Sequence, residues 1–175
     1  MAILPIKVFG DPVLRERARP VEVFDDALER LAADMIETMH DAPGVGLAAP
    51  QVGRSIRLVV FDVGEGPQAL VNPVLSGFAG EQTGEEGCLS IPGLYLPVTR
   101  AMRVTCDAQD VRGRSLRLEG EGLLARVFQH EVDHIDGVLF VDRLDGEDRK
   151  RALAAIRDQT LGFDEAAVPD PTRAL

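Results

Sequence analysis

Two of the three histidines in this chain stand four residues apart, in the stretch Gln129-His130-Glu131-Val132-Asp133-His134. On a helix, residues four apart share a face, so His130 and His134 point the same way while Glu131 leans over the edge beside them. This is the H-E-x-x-H pattern, two ligands for a divalent metal and a general base. The bland alternative, two solvated histidines, sits poorly with the apolar residues that flank the stretch. The periodicity predicts a helix over 123–135, stopped at Gly137 where a glycine past the C-terminal end is expected. Leu123 and Val127 fall on its inner side. Asp133 is placed either to orient a ligand or to face water, and the spacing does not choose between the two.

Two imidazoles leave a metal short of a ligand, and spacing tests the candidates. In H-E-x-x-H-x-x-G-x-x-H, Gly137 fits, but Phe140 occupies the position of the third histidine and cannot bind metal. A carboxylate further along would give a zincin-type metallo-endopeptidase; Glu147 and Glu165 are the only glutamates after His134, and neither has the usual supporting residues. Cys88 is the better choice. It lies in Glu85-Glu86-Gly87-Cys88-Leu89-Ser90-Ile91-Pro92, between two predicted strands, where Gly87 and Pro92 favour a rigid bend over a ladder. A thiolate, two imidazoles and one open position describe a catalytic site, since structural zinc fills all four positions with protein ligands.

The remaining chain frames that site. Residues 11–15 predict a short helical turn with Asp11 as cap and Pro12 at the first position. Residues 24–40 carry one apolar stripe, Leu28, Leu31, Ala32, Met35, Ile36 and Met39, capped by Asp25 or Asp26. His40 falls in the last turn of that helix, where a cation suits the helix dipole, and reads as a surface residue. The following loop, Gly44-Val45-Gly46-Leu47-Ala48-Ala49-Pro50-Gln51, lets a ligand approach the main chain. It lacks the Lys-Ser/Thr of a phosphate loop and the preceding strand of a dinucleotide site. Gln51 offers a primary amide able to donate to an oxyanion.

Strands are predicted over 56–63, buried on both faces, and over 70–76, with Pro73 demoting its middle to an edge or bend. Residues 79–84 suit a hairpin arm. Residues 101–107 alternate, which makes Cys106 a buried small hydrophobe. A short strand over 115–119 follows the Arg112-Gly113 turn. A final helix is predicted over 147–159, and 163–175, with two prolines and no periodicity, as a loose tail.

At 175 residues the chain suits a single domain over 1–175. The net charge of −10 argues against direct nucleic-acid binding. No apolar run approaches the ~20 residues of a membrane span, and no signal peptide is readable at the start, so cytoplasm is the expectation. Two cysteines are expected to stay reduced there. The basic groups Arg112, Arg114, Arg117 and Arg149, Lys150, Arg151, Arg157 read as solvated faces.

Three motifs in chain order resemble those of the peptide deformylases. Residues 44–51 resemble their G-x-G-L-A-A-x-Q, Glu86-Gly87-Cys88-Leu89-Ser90 their E-G-C-L-S, and Gln129 to His134 their Q-H-E-x-D-H. The resemblance implies an α+β fold, with antiparallel strands packed around a central helix carrying H-E-x-x-H, an additional N-terminal amphipathic helix and a C-terminal helix. It implies hydrolysis of the N-formyl group from the formylmethionine of nascent bacterial-type polypeptides, with release of formate. It implies one divalent metal, ferrous iron (Fe2+) replaceable by Zn2+, Ni2+ or Co2+, held by Cys88, His130 and His134. Softness alone favours zinc for a thiolate-containing set. Glu131 is then the acid-base residue, and Gln51 and the Leu89 backbone N–H meet the oxyanion. Val45 and Gly46 are expected to pair with substrate as an added strand, and Val45, Leu123 and Val127 to wall the methionine pocket. The family works on chains leaving the ribosome, and the basic residues of the final helix read equally well as a contact with it or as a solvated face.

Overall fold

The computed structural model describes residues 2–160; the expected tail over 163–175 and Glu165 lie outside the described residues. The elements are α1 (Asp26–Asp41), β1 (Gly46–Ala48), β2 (Leu58–Phe61), β3 (Gln68–Ala79), β4 (Gln82–Cys88), β5 (Ile91–Arg100), β6 (Arg103–Gln109), β7 (Ser115–Glu121), α2 (Leu123–Ile135) and α3 (Gly146–Thr160). Short 3-10 helices occupy Pro12–Arg15, Ala49–Val52 and Phe140–Arg143. Among the described residues the result is an α+β fold with three helices and two antiparallel sheets, one ordered β1-β2-β3-β6-β7 and the other a β4-β5 hairpin.

The period-two pattern decides how the larger sheet is covered. In β2, Leu58 and Val60 join a core with Leu28, Ala32, Met35 and Met39 of α1. Val59 and Phe61, facing the other way, pack with Ala125, Val127, Phe128 and Ile135 of α2. A strand buried on both faces therefore reads as the apolar run seen in the sequence. Phe61 meets Phe128 edge to face, with centroids 5.2 Å apart. A third core, with Leu14, Cys88, Ile91, Val98, Phe140, Val141, Ala152 and Ile156, joins the hairpin to α3 and to the 3-10 helices at Pro12–Arg15 and Phe140–Arg143.

Helix ends follow local chemistry. The Asp25 carboxylate accepts from the N–H groups of Ala27 and Leu28 and starts α1, and Asp11 caps the Pro12–Arg15 turn by accepting from the Val13 N–H. Gly137, at φ 76°, follows α2 and lies so close to Arg15 that a Cβ would sit 2.7 Å from its carbonyl oxygen.

Several strand expectations need correction. Of the two readings of Pro73 the edge is excluded and the bend holds: β3 lies between β2 and β6, and the ladder skips between Val71 and Val74, with Asn72 at φ 54°. That irregularity accommodates the residue without an N–H. Residues 79–84 are divided between the end of β3 and the start of β4. The expected bend around Cys88 is a ladder up to Cys88 itself, which pairs with Ile91 across the Leu89-Ser90 turn. The loop after α1 contains β1, an edge strand paired with β2. Among the described residues no helix is long and apolar enough to cross a membrane.

Candidate metal and catalytic site

Three elements from distant parts of the chain converge. Cys88 ends β4, and His130 and His134 face it from α2; all three are buried, and their ligating atoms lie within 4.8 Å of one another. Cys88 Sγ is 3.2 Å from His134 Nε2. His130 Nε2 is buried with no protein partner among the described residues, while its Nδ1 lies 3.1 Å from Glu86 Oε2. A metal-ligating histidine has this arrangement, one nitrogen held by a carboxylate and the other left for the ion. Burial pushes His134 well below its ordinary value and favours the neutral imidazole that ligates metal. The residues present fit a divalent ion with a mixed sulfur and nitrogen set.

Glu131 lies beside this cluster, fully buried, with neither carboxylate oxygen hydrogen-bonded to a described residue. Burial pushes its carboxyl up to about 7, the range suited to a group that both takes and returns a proton near neutrality. Gly46 makes room for it: a Cβ there would stand 2.3 Å from Glu131 Oε1. Gln51, in the Ala49–Val52 turn, is also buried. Its Oε1 accepts from Ala48 N–H at 2.8 Å, which aims Nε2 at Ser90 Oγ, 3.2 Å away, and at Cys88 Sγ, 3.7 Å away. Leu89 follows Cys88, and its side chain crowds Gly44.

The other expected residues are placed as follows. Val45 is half-buried and packs on the core that contains Val127, which is fully buried. Leu123 is 49% exposed at the first turn of α2. Glu147, the alternative ligand, is exposed on α3 and pairs with Lys150, away from the cluster. His40 is exposed and pairs with Asp62 at 3.1 Å. Cys106 is buried in β6, where burial pushes its thiol up to about 12 and leaves it unreactive.

Sequence reading offered Asp133 as either a ligand-orienting or a water-facing carboxylate and missed the rest of the polar shell behind the candidate ligands. Glu86 is completely buried and accepts from Arg100 Nε and Nη2 at 2.8 and 2.9 Å and from Arg126 Nη1 at 2.8 Å. Burial alone would raise its carboxyl, but the Arg100 and His130 contacts hold it well below the usual carboxylate range. Asp133 is buried as well and takes Arg100 Nη1 at 2.6 Å and Arg143 Nη2 at 2.5 Å. Its carboxylate braces the shell through these two guanidinium groups. Arg126 had a signal, since it precedes His130 by four residues and so shares the histidine stripe. Arg100 had none; only the β5 ladder brings it under the helix.

Comparisons with known proteins identify the family. The family model described as Polypeptide deformylase matches residues 3–150. The chain is 53% identical over 176 residues to the peptide deformylase of Acidothermus cellulolyticus, covering 99% of this chain and 98% of the relative. It is similar in structure to the peptide deformylase of Thermus thermophilus, with TM-score 0.87, 50% identity, and 92% and 97% of the two chains covered. The peptide deformylase of Legionella pneumophila matches with TM-score 0.86 and 45% identity, over 94% of this chain and 100% of that one. With the family matched over most of its length and the relatives matched end to end, the chain belongs to the peptide deformylase family, a family of metal-dependent hydrolases.

Proposed function

We infer that this chain hydrolyses the formamide bond of N-terminal formylmethionine on newly made polypeptides, releasing formate. The observation that carries the reading is the buried Cys88, His130 and His134 cluster with Glu131 beside it. Cys88 supplies the third donor that an endopeptidase of the zincin type would draw from a downstream carboxylate. Glu147, exposed on α3, does not serve.

Cys88, His130 and His134 hold the ion, with Fe2+ as the resident metal and Zn2+, Ni2+ or Co2+ as substitutes. A divalent ion in such a site supplies Lewis acidity that lowers the pKa of water. Glu131 takes the proton from the attacking water and returns it to the leaving amine, acting as base and then as acid. The Gln51 amide and the Leu89 backbone N–H meet the charge that develops on the formyl oxygen. The free edge of β1 lets Val45 and Gly46 pair with the substrate backbone as an added strand. Val45, Leu123 and Val127 wall the methionine side chain.

The H-E-x-x-H helix acts as the centre of one domain spanning 1–175, with the amphipathic α1 closing the far face of the sheet. Its place of work is the cytoplasm, on nascent chains at the ribosome, as suits a chain related to bacterial enzymes. Glu131→Ala is expected to keep its metal and lose turnover by about 10² or more. Gln51→Ala is expected to lose about 3 kcal/mol of transition-state stabilisation. Metal loss in the first variant, or full activity in the second, would show that the roles are misassigned.

A further inference from the structure

The two groups assigned to the oxyanion stand on different sheets. Gln51 follows β1 of the five-stranded sheet, and Leu89 sits in the turn of the β4-β5 hairpin; among the described residues no ladder joins the two sheets. Their spacing is critical, because an oxyanion donor works only within hydrogen-bond distance of one developing charge. What bridges them is the segment before the first helical turn. Lys7 N–H donates to the Gln51 carbonyl at 2.7 Å, and Phe9 N–H donates to the Ser90 carbonyl at 2.8 Å. In an extended chain, residues two apart present their N–H groups on the same side, so one short stretch can reach both. Gln51 Nε2 donates to Ser90 Oγ at 3.2 Å and closes the ring from the other side.

This arm has its own anchors. Leu4 N–H donates to Thr38 Oγ1 of α1 at 2.9 Å. Leu14 is buried in the same core as Cys88 and Ile91, and Phe9 packs against that core. Arg15 lies over the Phe9 ring, 5.6 Å from its centroid. The arm is thus fixed to α1 at one end and to the hairpin's core at the other, and its backbone spans the gap between the donors.

We propose that the N-terminal arm is a positioning element for the reaction, with Lys7 and Phe9 as positioning residues that set the separation of Gln51 and Leu89 through their backbone N–H groups. The proposal rests on the assignment of those two groups to the oxyanion. It requires neither arm residue to touch the substrate or the metal.

Proline removes the N–H and leaves every proposed substrate-contacting group in place. In the metal-loaded full chain, Lys7→Pro and Phe9→Pro are each expected to lower kcat by about tenfold or more, with KM and metal content little changed. Lys7→Ala, which restores the N–H, is expected to recover turnover. In a Gln51→Ala background the Lys7→Pro loss is expected to disappear, because the group it positions is gone. Undiminished kcat in both proline variants, or an equal loss in the Gln51→Ala background, overturns the proposal.

The unsubstituted enzyme provides a second measurement should the proline variants not fold. In rising sub-denaturing urea, kcat is expected to fall in step with loss of exchange protection at the Lys7 and Phe9 amides, before metal is released. Loss of that protection with kcat intact overturns the proposal. Full activity in Gln51→Ala alone overturns the oxyanion assignment, a result read separately from the proline series.

Discussion

Gly46→Ala should disable the enzyme by moving one carboxylate. The added methyl carbon would stand 2.3 Å from Glu131 Oε1, 2.8 Å from Cδ and 3.0 Å from Cγ. Ordinary contact begins near 3.4 Å, so the carboxylate oxygen must retreat by about 1 Å. Glu131 is fully buried, and α2 fixes its backbone against the sheet, so the retreat displaces the proposed acid-base group from its position beside the cluster. A misplacement of about 1 Å can cost on the order of 10² in rate. The overpacking itself should cost roughly 1–3 kcal/mol of stability, or about 3–10 °C in Tm for a chain of this size. The assay is formate release from a formyl-Met peptide, with a thermal melt and metal analysis on the same sample. Expected are a ~10² loss in kcat, a modest fall in Tm and unchanged metal. A folded variant with its metal and undiminished kcat would refute the claim that Gly46 exists to seat Glu131.

Two further outcomes follow from the shell and the ligands. Glu86→Gln leaves the buried Arg100 and Arg126 guanidinium groups without their common anion, so roughly 3–5 kcal/mol of stability should be lost. Metal affinity should fall by about 10- to 100-fold as His130 loses its orienting partner; unchanged affinity in a chelator competition would show that Glu86 does not hold the ring. Stripping the metal should lower Tm, and restoring an ion at about 1,000 times its Kd should return about 4 kcal/mol. Cys88→Ser should abolish that metal-dependent shift, whereas a shift that survives would point to a ligand elsewhere.

How far the sequence reveals these features depends on whether their cause is local. The α2 boundaries, 123–135, are read correctly because apolar spacing, the histidine pair and Gly137 all act within a few residues. The Asp25 and Asp11 caps are local for the same reason. Cys88 emerges as a candidate ligand because few residue types can bind metal, yet its strand is hidden: the glycines and proline around it suggest a bend, and the pairing that makes β4 and β5 is set by partners across the hairpin. Pro73 signals the bend but not its place in the sheet, since whether the strand lies at an edge or beside β6 is set by distant partners. The three residues of β1 are strand only because β2 lies alongside. Glu86 stands in a motif that the chain displays openly. Arg100 is charged and buried only because Glu86 and Asp133 meet it from two other elements, and no window of sequence contains all three.

The central claim is that a metal held by Cys88, His130 and His134 serves the removal of a terminal formyl group. Its most direct test is formate release from a formyl-Met peptide by protein purified anaerobically, with metal measured alongside. The account expects formate in proportion to bound metal at about one ion per chain, and no cleavage of internal peptide bonds. Metal-loaded protein that leaves the formyl group in place, or that cuts within the peptide, would contradict it.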